Sequence, residues 1–167
     1  MSSMNVIKSE VEELLYREAA YLDKRDWDSW LALYCVDVEF WAPAWKSEDE
    51  PTADPDREIS LLYYSSRLGL EERVQRLRTG KSIATTPASR TAHLIGNILL
   101  GTATDNACEV ESSWTVHVYD PRLKTQHVLF GRYEHRLRRE GAGWKIARKK
   151  ILLLNDHIPT MIDFYCL

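Results

Sequence analysis

Cysteine is scarce and poorly placed for chemistry. Cys35, Cys108 and Cys166 are the only three among 167 residues, with no C-x-x-C and no histidine beside any of them. An odd number of distant thiols argues against a disulfide framework and a zinc ribbon, and reduced thiols in a cytoplasm are the simpler reading. A Rieske centre needs two Cys and two His in paired short motifs, which one Cys per distant region does not supply. The histidines, 93, 117, 127, 135 and 157, are scattered. None has a second His within four residues, as a helical pair of iron ligands would require. Gly-rich phosphate loops, G-x-S-x-G and H-E-x-x-H are all missing. The opening stretch, MSSMNVIKSEVEELLYREAAYLDK, alternates charge with apolar residues. It has neither a signal-peptide core nor a membrane-length run, so a soluble, cytoplasmic protein without membrane contact is expected.

What is present fits one domain over residues 1–167, with 44% hydrophobic residues and room for a core without metal or disulfide staples. A net charge of −3 argues against a general nucleic-acid binder. That balance hides a local excess: residues 131–150 hold eight Lys or Arg against Glu134 and Glu140. The stretch GRYEHRLRREGAGWKIARKKILLL, from Gly131 to Leu154, reads as two strands joined at Gly141-Ala142-Gly143, where two glycines offer positive φ. Tyr133, His135 and Leu137 alternate with Arg132, Glu134, Arg136 and Arg138, giving one core face and one cationic face.

Val11, Leu14, Leu15, Ala19 and Leu22 form one stripe of a helix from about Asn5 to Asp23. Asp26 stands as N-cap of a second helix carrying Trp27, Trp30, Leu31 and Tyr34. Val38–Ala42 reads as a short strand, Lys46–Arg57 as an exposed acidic loop too polar to pack, and Ile59–Ser65 as extended backbone. Leu70, Val74 and Leu77 mark a third helix stopped at Thr79-Gly80, and Lys81–Ser89 a connection. Four long strands follow, Arg90–Leu100, Cys108–Tyr119, Lys124–Arg138 and Trp144–Leu153. Helices first and a long antiparallel sheet afterwards predict an α+β fold, with the helices on one face of a curved sheet.

Such a sheet can hold a pocket, and Tyr16, Asp37, His93 and Tyr133 are its candidate acid, base and donor residues. The competing reading makes Asp37 a turn cap, His93 a hydrogen-bonded core residue and the tyrosines core with a polar handle. The cationic face is either solvated or docks on an acidic neighbour. Nucleic acid is disfavoured because no aromatic platform is interleaved with the cations.

Three stretches together, Trp30–Pro43 (WLALYCVDVEFWAP), Leu70–Ile98 and Gly131–Asp156, resemble the small (β) subunit of aromatic-ring-hydroxylating dioxygenases. The ending, NDHIPTMIDFYCL, looks like the benzoate, toluate and anthranilate branch. The resemblance implies a cone-shaped, nuclear transport factor two-like fold. It further implies a chain with no catalytic, cofactor or metal residues, supporting catalytic α subunits in an α3β3 hexamer. The α subunit would hold the Rieske iron-sulfur cluster and the mononuclear iron, with NADH electrons arriving through a reductase. Sheet edges, the basic hairpin and the C-terminal segment are the expected contacts, with Arg90, Arg132, Arg136 and Arg148 as interface residues. The rivals are a stand-alone isomerase or dehydratase of the same fold using the Asp/His pocket, or a small-ligand-binding module.

Overall fold

The computed structural model describes residues 3–80, 87–159 and 161–167, so most of the expected Lys81–Ser89 connection lies outside the described residues. The elements run α1 (Ser3–Lys24), α2 (Trp27–Ala32), β1 (Tyr34–Pro43), β2 (Ser60–Tyr64), α3 (Arg67–Arg78), β3 (Arg90–Ala103), β4 (Ala107–Asp120), β5 (Thr125–Glu140) and β6 (Gly143–Leu153). A 3₁₀ turn, Phe164–Cys166, follows. The six strands make one sheet in the order β2-β1-β6-β5-β4-β3. Only β1 and β6 run parallel; every other neighbouring pair is antiparallel.

The α1 stripe, Val11, Leu14, Leu15, Ala19 and Leu22, is buried as its spacing predicts. The helix stops where Arg25 turns to φ +57. Asp26 then caps α2, its carboxylate accepting the Ser29 N–H. Tyr34 belongs to β1 rather than to the second helix. The Leu33 carbonyl accepts the Ile146 N–H at 2.8 Å, and sheet pairing replaces the helical ladder there.

The long strands match the expected ones. In β4, Cys108, Val110, Ser112, Trp114, Val116 and Val118 all face the core. At the β5–β6 turn only Gly141 takes a positive φ, +62°; Gly143 already pairs with Glu140 as the first residue of β6. The acidic loop packs more than its polarity predicts, because Thr52 is buried with its hydroxyl on the Ile59 carbonyl at 2.9 Å. At the other end of the chain, Asp163–Leu167 is buried. Phe164 stacks on Trp30 with centroids 4.8 Å apart, and Asp163 takes a two-pronged ion pair from Arg73 at 3.1 and 2.7 Å. These last five residues therefore close the protein's own core.

One glycine governs the centre of the sheet. A Cβ on Gly131 would lie 1.8 Å from the Leu152 carbonyl oxygen and 3.2 Å from Trp114 Nε1. Gly131→Ala is expected to force β5 and β6 apart and lower stability by about 2–3 kcal/mol, measurable as an earlier midpoint in chemical denaturation. An unchanged midpoint would show that the strands absorb the methyl group.

Candidate functional site

The helices and the inner face of the sheet enclose two polar constellations. The first joins α1, α2, β1 and β6. Glu18 and Lys149 are 2% and 0% exposed, and Lys149 Nζ donates to Glu18 Oε1 at 2.8 Å. The same oxygen accepts from the Tyr34 hydroxyl at 2.6 Å and from Trp30 Nε1 at 3.1 Å. Burial alone would raise the Glu18 pKa, but the Lys149 ammonium and the hydrogen bonds from Lys149 and Tyr34 outweigh it and bring the carboxyl to about 2. Burial also pushes the Lys149 pKa below its ordinary value, against the pull of Glu18. The Tyr34 phenol is driven well up by burial and by the facing Glu18 charge, so it stays a donor. Lys149 Nζ also sits 4.2 Å from the centroid of the Tyr133 ring.

The second constellation joins the end of α1 to β3. Asp23 Oδ1 lies 2.6 Å from His93 Nδ1 and accepts the Thr91 hydroxyl at 2.9 Å, while its other oxygen accepts the His93 backbone N–H at 2.9 Å. A carboxylate on Nδ1 fixes the imidazole with its proton there and turns Nε2 towards the interior as an acceptor. His135 stands beside Tyr133 with centroids 5.4 Å apart. Burial and the nearby Lys149 charge lower its pKa to about 3.

Of the four sequence candidates for a pocket, the structure brings only His93 and Tyr133 inside. Tyr16 is 49% exposed on the solvent side of α1, one position off the apolar stripe. Asp37 is also outside: its carboxylate is held by Arg138 at 3.1 and 2.7 Å, which lowers its pKa chiefly through that hydrogen bond. Glu18, Asp23 and Lys149 escaped sequence reading. Glu18 carried a signal, since it lies four residues from both Leu14 and Leu22 in the apolar stripe.

Cys35, Asp37 and Glu140 place three metal-ligand atoms within 4.8 Å of one another. They do not suit a metal ion, because the Arg138 guanidinium occupies the acidic pair, 2.7 Å from each carboxylate. Burial, with the Glu140 hydrogen bond, raises the Cys35 thiol to about 11, far from the thiolate a metal would need.

On the outer face most hairpin cations are already paired within the chain. Arg138 has Asp37 and Glu140, Arg148 has Glu39 at 2.6 Å, and Lys150 has Glu134 at 3.1 Å, while Arg139 turns to the helix side and pairs with Glu10 of α1. Arg136 is loosely placed 3.7 Å from Glu109. Arg132 has no ion pair among the described residues, and Arg90 lies over the Tyr119 ring. The pairing register also sets Leu94, Thr115 and Phe130 in one row across β3, β4 and β5, with Leu154 bonded to Phe130. Leu94, Phe130 and Leu154 are each more than 40% exposed, an apolar stripe beside Arg132.

Comparison with known proteins gives concordant results. The family described as ring hydroxylating beta subunit matches residues 17–160. The toluate 1,2-dioxygenase subunit beta of Pseudomonas putida is 42% identical over 162 residues, covering 97% of this chain and 99% of that one. The crystal structure of the benzoate 1,2-dioxygenase beta subunit from Burkholderia mallei superimposes with a TM-score of 0.79 at 35% identity, covering 95% and 96% of the two chains. A putative scytalone dehydratase from Novosphingobium aromaticivorans, 15% identical with a TM-score of 0.70 over 98% and 97% of the chains, shares the cone-shaped fold.

Proposed function

The chain belongs to the ring hydroxylating beta subunit family, as a small subunit of an aromatic-ring-hydroxylating dioxygenase, and we propose that it is the non-catalytic partner of an enzyme acting on a benzoate-like aromatic acid. The observation that carries this reading is the 42% identity, over 97% of the chain, with a toluate 1,2-dioxygenase subunit. The interior supports it: Glu18 and Lys149 are spent on each other and on the fold. The oxygen chemistry then belongs to an α subunit bearing the Rieske cluster and the mononuclear iron, supplied by NADH through a reductase, and the assembly is an α3β3 hexamer.

The outer sheet face is the docking surface in this proposal. Leu94, Phe130 and Leu154 form its apolar centre, Arg132 and Arg136 bring charge beside it, and Arg90 and Arg148 lie at its margins. An exposed apolar row flanked by a guanidinium with no ion pair among the described residues is the composition that stable interfaces favour. Co-expression with the large subunit is expected to yield a coloured, iron-containing complex of hexamer mass. A colourless lone chain that turns over a substrate of its own would sink the reading. Phe130→Asp combined with Arg132→Glu is expected to raise the protein concentration at which the complex dissociates by about tenfold or more, read by native mass measurement on dilution. An unchanged dissociation range would move the docking surface elsewhere.

A further inference from the structure

Six buried polar atoms on the inner sheet face have no hydrogen-bond partner among the described residues: His93 Nε2, Ser112 Oγ, Trp114 Nε1, Tyr133 Oη and both ring nitrogens of His135. The register arranges them along a diagonal. His93 lies opposite Val116, Trp114 is two residues back along β4, and Ser112 is two further and opposite Tyr133, with His135 next on the same face of β5. Trp114 and Tyr133 stack with centroids 5.1 Å apart, and His135 meets the Tyr133 ring edge to face. A buried polar atom without a partner forfeits the hydrogen bonds it made in water, and six on one face forfeit a large part of a domain's net stability.

The chemistry of the set restricts what completes it. In the neutral tautomer with Nδ1–H on Asp23, His93 Nε2 accepts; Trp114 Nε1 only donates; the Ser112 and Tyr133 hydroxyls do either. Glu18 and Lys149 already neutralise one another nearby, so neither is a spare counter-charge for an ion. A separate cavity of about 60 Å³, lined by Val118, Leu129, Tyr165 and Cys166, adjoins this diagonal at Val116, whose β5 partner is Leu129, but none of the six atoms lines it.

We propose that this inner diagonal is a binding site for small uncharged hydroxyl-bearing guests, whether water or the hydroxyl of a small organic molecule, which donate to His93 Nε2 and accept from Trp114 Nε1 and Tyr133 Oη. The reading stands apart from the role of the chain in assembly and does not depend on it.

Tyr133→Phe and Ser112→Ala each delete one oxygen and leave the shape almost unchanged. With guests in place, each deletion breaks a hydrogen-bonded network, and the melting temperature of the full chain is expected to fall by about 3–8 °C. If the atoms are truly unpartnered, each deletion removes a liability and the melting temperature holds or rises, which overturns the proposal. Crystallography of the full chain, with mass spectrometry of a solvent extract of the denatured protein, separates the two sources. Water-sized density on these atoms with a clean extract assigns water, and a stoichiometric hydroxyl compound in the extract assigns an organic guest. Empty density around all six atoms would refute both.

Discussion

Lys149→Met is expected to destabilise the fold by about 3–5 kcal/mol, because it leaves the Glu18 carboxylate buried with its ammonium partner gone. Trp30 and Tyr34 would still donate to the same oxygen, but neutral donors do not replace the lost charge. The double variant Glu18→Leu, Lys149→Met removes both ions and is expected to recover most of the loss, since an apolar pair of similar volume often matches a buried salt bridge. Denaturant unfolding of the four chains of this cycle gives the coupling directly. A single variant as stable as the parent would mean that the pair contributes nothing. A double variant no better than the single would place the damage in packing rather than in charge.

Acid is the second strong lever. In the folded state the pKa of His135 is held near 3, first by burial and then by Lys149, against about 6.5 when exposed. A depressed folded value means that the unfolded chain binds the proton more readily. The related stability is fully present above about pH 6.5 and drains away as the pH falls towards 3, a total of about 5 kcal/mol. Glu18, lowered to about 2, acts in the same direction over a lower window, between its ordinary 4.5 and about 2. The groups facing His135 are Lys149 on β6 and Glu18 on α1, and neither supplies it with a hydrogen bond. Stability measured against pH is therefore expected to decline from about pH 6 downwards. His135→Phe should flatten the upper part of that decline while leaving the lower part. A variant with the parent's slope between pH 6.5 and 4.5 would assign the acid sensitivity to other groups.

Much of this architecture was legible in the sequence because burial imposes a period. The stripe of α1, the alternation in β4 and the Asp26 cap are local signals, and each led to the right element. The family was legible from the order of three motifs. The interior cluster was less so. Tyr133, His135 and Leu137 keep strict alternation and were readable as inward-facing. Lys149 was hidden by a β-bulge. Arg136 pairs with Arg148 but Leu137 pairs with Ile146, so Ala147 is an extra residue and the inward parity changes from Ile146 to Lys149. Extending the period of two from the buried Trp144 and Ile146 puts Lys150 inside instead of Lys149. Asp37 failed in the opposite sense, since a carboxylate next to a buried strand looks like a pocket residue until Arg138 claims it at the surface. Arg73–Asp163 joins residues too far apart in sequence for any local pattern to reveal.

The parallel pairing of β1 with β6 has a consequence in time. Tyr34 meets Ile146 and Trp41 meets Lys150, so the first strand made finds one of its two neighbours only when the last strand exists. During synthesis α1 and β1 emerge early, yet the counter-ion of Glu18 arrives 131 residues later. The β3–β4–β5 meander can form beforehand from near neighbours, but the cone cannot close around its charged centre until β6 slots between β5 and β1. Such long-range closure makes folding slow and late. A ribosome stalled before residue 149 is thus expected to carry an open, protease-sensitive N-terminal half, with protection appearing abruptly once β6 is free.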